Sequence, residues 1–168
     1  MIMNTNGNTK ELIKDLCSRL PYGVKVAVNQ SELQNYDYKW KNWSFDEEPQ
    51  EIDGVSIYGV TFGCMDMSDG VIGFDYIKPY LFPLSSMTTI QENEFHFLFP
   101  SLVVNRDEYG FVDIISKSTK DKWEDTYNYR TCLNDWEKAI QWLLKNHFDI
   151  NGLIPKNLAN DATNLNIY

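Results

Sequence analysis

His96 and His147 are the only histidines in this chain, and histidine is the side chain best suited to moving a proton near neutral pH. Either would serve as a general base if a nucleophile and an orienting partner stood beside it. The sequence assigns neither partner, so surface or helix-end roles are the expectation, and His147 near a helix C-terminus would complement the dipole when protonated. Cys17, Cys64 and Cys132 are odd in number and widely spaced, which fits neither a disulfide framework nor a zinc ribbon. The run Cys64–Gly70 offers Asp66 and Asp69 near a glycine, as a calcium loop would. With Gly70 in the sixth position, however, the first ligand would be Met65 and the twelfth Tyr76, and neither replaces a carboxylate. A polar turn between strands is expected there. Asp46, Glu47 and Glu48 read as a solvated edge rather than an acid/base pair. With no serine nucleophile elbow and no HExxH, the expectation is a non-enzyme that uses no cofactor and no metal.

The concentration that exceeds expectation is aromatic. Tyr36, Tyr38 and Trp40 alternate with Asp37 and Lys39, and Trp43 and Phe45 follow before the acidic break at Asp46–Pro49. As a strand, the first three would share one face. They would either cap a small sheet's core or stand exposed as interface anchors or a stacking platform for a planar ligand. These five residues are the candidate binding site, with Trp40 expected to be structural and Trp43 exposed. No arginine accompanies the stripe, which favours a protein or a neutral ring over a polyphosphate.

Partners are bounded by charge. A formal net charge of −9 over 168 residues opposes a phosphate backbone and lacks the Lys/Arg surplus that supplies non-specific nucleic-acid affinity. Nucleic acid and membrane are therefore not expected as partners. The opening residues have no basic and apolar segments of a leader, and no apolar run approaches membrane-spanning length, so a cytoplasmic location is expected. At 43% hydrophobic and 14% aromatic, the composition is that of a folded domain able to bury a core without staples.

The elements that would position these residues follow from periodicity and punctuation. Residues 1–7 are expected to be flexible. Asn8 and Glu11 stand in capping-box relation, and Leu12, Ile13, Leu16, Cys17 and Leu20 form one stripe, ended by Pro21-Tyr22-Gly23. Val24, Val26 and Val28 alternate as in a half-buried strand. A β-rich block covers 55–62 and 71–74, punctuated by glycines, and its close spacing favours antiparallel pairing. Prolines between Asp75 and Pro83 limit the expectation to a turn. Thr88 with Gln91, or Thr89 with Glu92, would cap a short helix running towards Phe97 and ending by Pro100. Val103-Val104 and 111–115 suggest a hairpin around Glu108-Tyr109-Gly110, and 116–125 reads as loop. A last helix from Asn134, boxed by Glu137, would bury Trp136, Ala139, Ile140, Leu143 and Leu144, fail near His147 and turn at Asn151-Gly152.

With Lys10-Glu-Leu-Ile-Lys-Asp-Leu-Cys-Ser-Arg-Leu-Pro-Tyr-Gly-Val-Lys-Val-Ala-Val28, Ile77-Lys-Pro-Tyr-Leu-Phe-Pro-Leu-Ser-Ser-Met-Thr88 and the stretch from Trp142 to Tyr168 in view, the chain resembles a family of small proteins of gut Bacteroidales, carried largely by their phages, prophages and mobile elements. The resemblance brings no activity and no functional residue. Asn151 and Asn157 stand where the family pattern has Arg and Gly. Residues 29–73 and 89–134 look variable, and 101–131 reads as a variable insertion; variable segments on a common frame are where recognition usually resides.

These readings combine into an α+β fold: a single domain over residues 8–168 with a small, mostly antiparallel, curved sheet packed by an N-terminal and a C-terminal helix. The expected function is a non-enzymatic phage or mobile-element accessory protein binding a host or viral protein, in host takeover or counter-defence. The alternative is a protein that sequesters a small nucleotide signal. Nothing in the sequence sets the oligomeric state, and a homo-oligomer is compatible with it.

Overall fold

The computed structural model describes residues 7–36, 45, 48–63, 70–109, 111–117 and 126–168. The fold is α+β, as expected, and the chain divides into two compact units. The first runs to Leu81 and resumes over Asn151–Tyr168; the second is Phe82–Ile150.

In the first unit, α1 (Asn8–Arg19) leads through a 3-10 turn at Leu20–Tyr22 into β1 (Lys25–Val28), followed by α2 (Gln30–Tyr36), β2 (Gln50–Val55), β3 (Val60–Phe62), β4 (Ile77–Leu81) and β7 (Asn160–Asp161). The sheet order is β3-β2-β1-β4-β7, antiparallel throughout except that β4 and β7 run parallel. Leu12 and Leu16 of α1, Val24, Val26, Ile52, Phe62, Ile77 and Leu81 share one buried core. Gly23 supplies the left-handed turn (φ 70) that ends the first helical segment and opens β1.

Several expectations fail here for identifiable reasons. The Asn8/Glu11 box does not form: the helix starts one residue early on Gly7, which makes no side-chain cap. Glu11 instead accepts from Lys156 Nζ at 2.6 Å. Cys17 is exposed, because the buried face of α1 runs through Leu12, Asp15, Leu16 and Arg19, leaving position 17 outside the i, i+3, i+4, i+7 series. Tyr36 ends a helix rather than opening a strand. Finally, the proline-bearing segment is β4, in the sheet interior, with Pro79 opposite Val26. Pairing with β7 begins only at Tyr80, so the neighbour on that side asks no hydrogen bond of the proline. Residues 71–74 contribute one bridge, Val60 to Ile72, instead of a strand. A Cβ on Gly59 would collide with the Ile72 carbonyl, which is why the bridge needs glycine beside it.

The segment 160–168 is latched to the sheet. Ala162 N–H donates to Leu81 O at 2.8 Å, Lys25 Nζ to Ile167 O at 2.7 Å and the Tyr168 hydroxyl to Tyr80 O at 2.8 Å. Burial pushes the Tyr168 phenol up to about 12, against the opposing pull of the Lys25 N–H that it accepts and of Arg19. An unfolded tyrosine loses its proton near 10. The latch therefore stabilises the fold fully below pH 10, and this contribution disappears as the pH climbs towards 12. Thermal melts between pH 9 and 12 should show a steeper alkaline decline for the natural chain than for Tyr168→Phe; equal slopes would remove the buried phenol from the account. Asn157 holds φ 59, a left-handed turn where glycine fits and asparagine is tolerated.

In the second unit, α3 (Thr89–Leu98) is followed by the hairpin β5 (Leu102–Arg106) and β6 (Val112–Ser116), then α4 (Thr126–Lys145). The Thr88/Gln91 box forms with both of its hydrogen bonds, and the hairpin pairs antiparallel with Val104 opposite Ile114. The last helix begins at Thr126, so Asn134 lies inside it and cannot cap. Ala139 and Leu143 enter the core beside Phe95, Phe99, Leu102 and Val104, while Ile140 is exposed. Thus α4 is part of the second unit's core. No helix among the described residues is long and apolar enough to cross a membrane.

Candidate functional site

The surface of the second unit is set by which way α3 is turned. Its Thr88 cap fixes the start, and Phe95, fully buried, lies against Phe99 with ring centroids 4.9 Å apart and against Trp142 at 5.5 Å, both edge-on. That inward anchor points the opposite face out. Ile90 is 80% and Phe97 84% exposed; seven residues apart, they lie on one side of the helix with Asn93 and Glu94 between them. Glu94 accepts from the Trp142 indole at 3.3 Å, so its carboxylate is held at this face. The hairpin adds exposed Tyr109, Phe111 and Ile115. Asp107 Oδ1 accepts from the Tyr109 and Phe111 N–H groups at 2.9 and 2.7 Å, which fixes the turn that presents them.

His96 Nε2 accepts the Val104 N–H at 3.2 Å, spending the lone pair that a base would use. His147 is buried in a left-handed turn (φ 58), with its N–H on Leu144 O and its carbonyl receiving Phe82 N–H. Asp135 is buried too, but it caps the turn before β5, taking the Ser101 N–H and hydroxyl at 3.2 and 2.6 Å. Among the described residues no cluster of three or more His, Cys, Asp or Glu side chains could hold a metal.

Of the five aromatic candidates, Tyr38, Trp40 and Trp43 lie outside the described residues, as do Asp46, Glu47 and 64–69. Tyr36 sits at the end of α2. Phe45 is a core residue and not an exposed anchor: it is buried, packs on Phe62 at 5.6 Å, and its N–H is taken by Gln30 Oε1 at 2.9 Å. Ile90 and Phe97 are the residues that sequence reasoning passed over. Their signal is an excess: α3 carries apolar residues at 90, 95, 97 and 98, more than one buried stripe can use.

The first unit has a depression of about 250 Å³ lined by Asn29, Asp75, Tyr76, Lys78 and Asn160 among others. Ligand pockets usually run from about 300 to 1,000 Å³. Asn29 is occupied as a cap, its Oδ1 taking Ser31 Oγ and Glu32 N, and Lys78 Nζ is held by Asn157 Oδ1 at 2.7 Å. The site is small, and its amide Asn29 and its one cation Lys78 are already engaged, so it does not favour a nucleotide ligand.

Comparison of the chain with family models, with curated proteins and with solved structures finds no match.

Proposed function

We propose that this chain is a non-enzymatic accessory protein of a phage or mobile element, acting in the cytoplasm of the bacterial host by binding a host or viral protein through the outer face of α3. The observation that carries the reading is the pair Ile90 and Phe97, both large, apolar and largely exposed on one side of a well-capped helix. Large exposed apolar side chains on a fixed frame are typical interface anchors. Glu94 beside them and the net charge of −9 favour a partner whose apolar groove is rimmed by lysine or arginine. The resemblance to phage and mobile-element proteins supplies the setting, and counter-defence or host takeover is the role that setting supports.

The test compares the natural chain with the double variant Ile90→Ser/Phe97→Ser, immobilised in lysate of the host cell and of phage-infected cells, with titration of any captured protein. Because both positions are exposed, stability should change by less than about 1 kcal/mol, while affinity for the partner should fall by about 2 kcal/mol or more. A variant that keeps both its stability and its partner would overturn the assignment of this face.

A further inference from the structure

The two edges of the small hairpin are treated differently. Lys117 N–H bonds Ser101 O and Asp107 N–H bonds Phe111 O at its two ends. With the observed register, the pairs 103/115 and 105/113 are therefore the hydrogen-bonded ones, and the backbone groups of residues 102, 104 and 106 on β5 and 112, 114 and 116 on β6 point away from each other. On the β5 side these groups are used: Leu102 N–H reaches Phe99 O at 3.0 Å and Val104 N–H reaches His96. Among the described residues, no backbone hydrogen bond is made by Val112, Ile114 or Ser116 on the β6 side. An edge strand is ordinarily blunted by lysine, proline or a bulge within it. The run Val112-Asp-Ile-Ile-Ser116 contains no lysine, proline or bulge, and its one charged side chain is the exposed Asp113.

We propose that β6 pairs with β6 of a second copy, antiparallel about a twofold axis at Ile114, joining two hairpins into one four-stranded sheet. This occupant is favoured because the strand is complementary to itself. In that register Val112 faces Ser116 of the other copy and Ile114 faces its own equivalent, each pair exchanging two hydrogen bonds. On the solvent side Asp113 faces Ile115, and Lys117 faces the ring of Phe111, so no like charges are directly opposed and the ammonium meets an aromatic face. The pairing also covers Phe111 and Ile115, both exposed in the single chain. Because each copy carries −9, added salt should tighten the association by screening the long-range repulsion. The edge is short, so the dissociation constant should be on the order of 10 μM.

Sedimentation velocity of the full chain from about 1 to 500 μM tests this, since that range brackets the affinity expected of a small interface. The mass should rise from 19.6 kDa towards twice that value. Ile114→Pro removes an N–H that β5 does not use, and it should weaken association at least about tenfold. Lys117→Asp, at an exposed position outside the core, should weaken it several-fold. If the proline variant does not fold, as judged by circular dichroism, the aspartate variant decides alone. A natural chain that stays monomeric throughout, including one whose β6 amides gain exchange protection only with a foreign peptide, overturns the proposal, as does a dimer that folded variants leave unchanged. None of these substitutions touches the α3 face, so failure here is distinguishable from failure of the partner-binding reading.

Discussion

Asp15→Ala should destabilise the first unit by about 3–5 kcal/mol, the largest loss expected from any single charged position. Asp15 and Arg19 are both 0% exposed. Their contact is two-pronged, with Arg19 Nε on Oδ2 at 2.6 Å and Nη2 on Oδ1 at 3.0 Å, and Asn151 Nδ2 donates to Oδ1 at 2.7 Å. Removing the carboxylate leaves a guanidinium in the interior without its counter-charge. Taking both charges out of water was itself costly, so the pair contributes much less net stability than its rupture costs. Asp15→Leu combined with Arg19→Met should therefore recover much of the loss. Urea unfolding of the two variants measures both numbers, and a double variant as damaged as the single one would show that the cost is one of packing and not of charge.

Phe95→Ala should cost the second unit about 3–5 kcal/mol. The ring is fully buried, lies edge-on to Phe99 and Trp142, and is the single buried residue of a ten-residue helix. Helices of this length are held by packing more than by propensity, so α3 should loosen together with the β5 edge that it caps. The near-ultraviolet signal of Trp142, which stacks on Phe148 at 6.1 Å, should collapse before the far-ultraviolet signal does. Retention of that signal at native intensity would show the cavity to be tolerated. Phe97→Ala, two residues away on the exposed face, is the control and should change stability little.

Where a local rule had no competitor, the sequence was sufficient. The Thr88/Gln91 box needed only its two side chains, the hairpin only alternation around a turn, and β1 only Val24, Val26 and Val28. The failures share a cause, which is that long-range partners decided the outcome. Pro79 reads as a strand breaker until β7 is known to start beyond it. Cys17 reads as part of the buried stripe until the Asp15–Arg19 pair, joined by Asn151 from a distant part of the chain, is seen to occupy that face. Asn134 reads as a cap only while Thr126–Leu133 is not seen to be helical. The candidate site was less legible still, because apolar residues count alike in a sequence whether they face in or out. Phe45 and Phe97 carry the same side chain; only the packing of Phe62 and Phe95 makes one of them core and leaves the other on the surface.

The order in which the chain enters these units has a consequence for synthesis. The second unit is continuous, whereas the first is interrupted between β4 and β7 and resumes only at Asn151. On a ribosome delivering residues from the N-terminus, the continuous unit is complete in sequence while the interrupted one still lacks β7, Asn151 and the Tyr168 phenol. Until those emerge, the β4 edge and the Asp15–Arg19 pair are without partners that they have in the finished fold. The nascent first unit is thus the part of this protein most in need of shielding during translation.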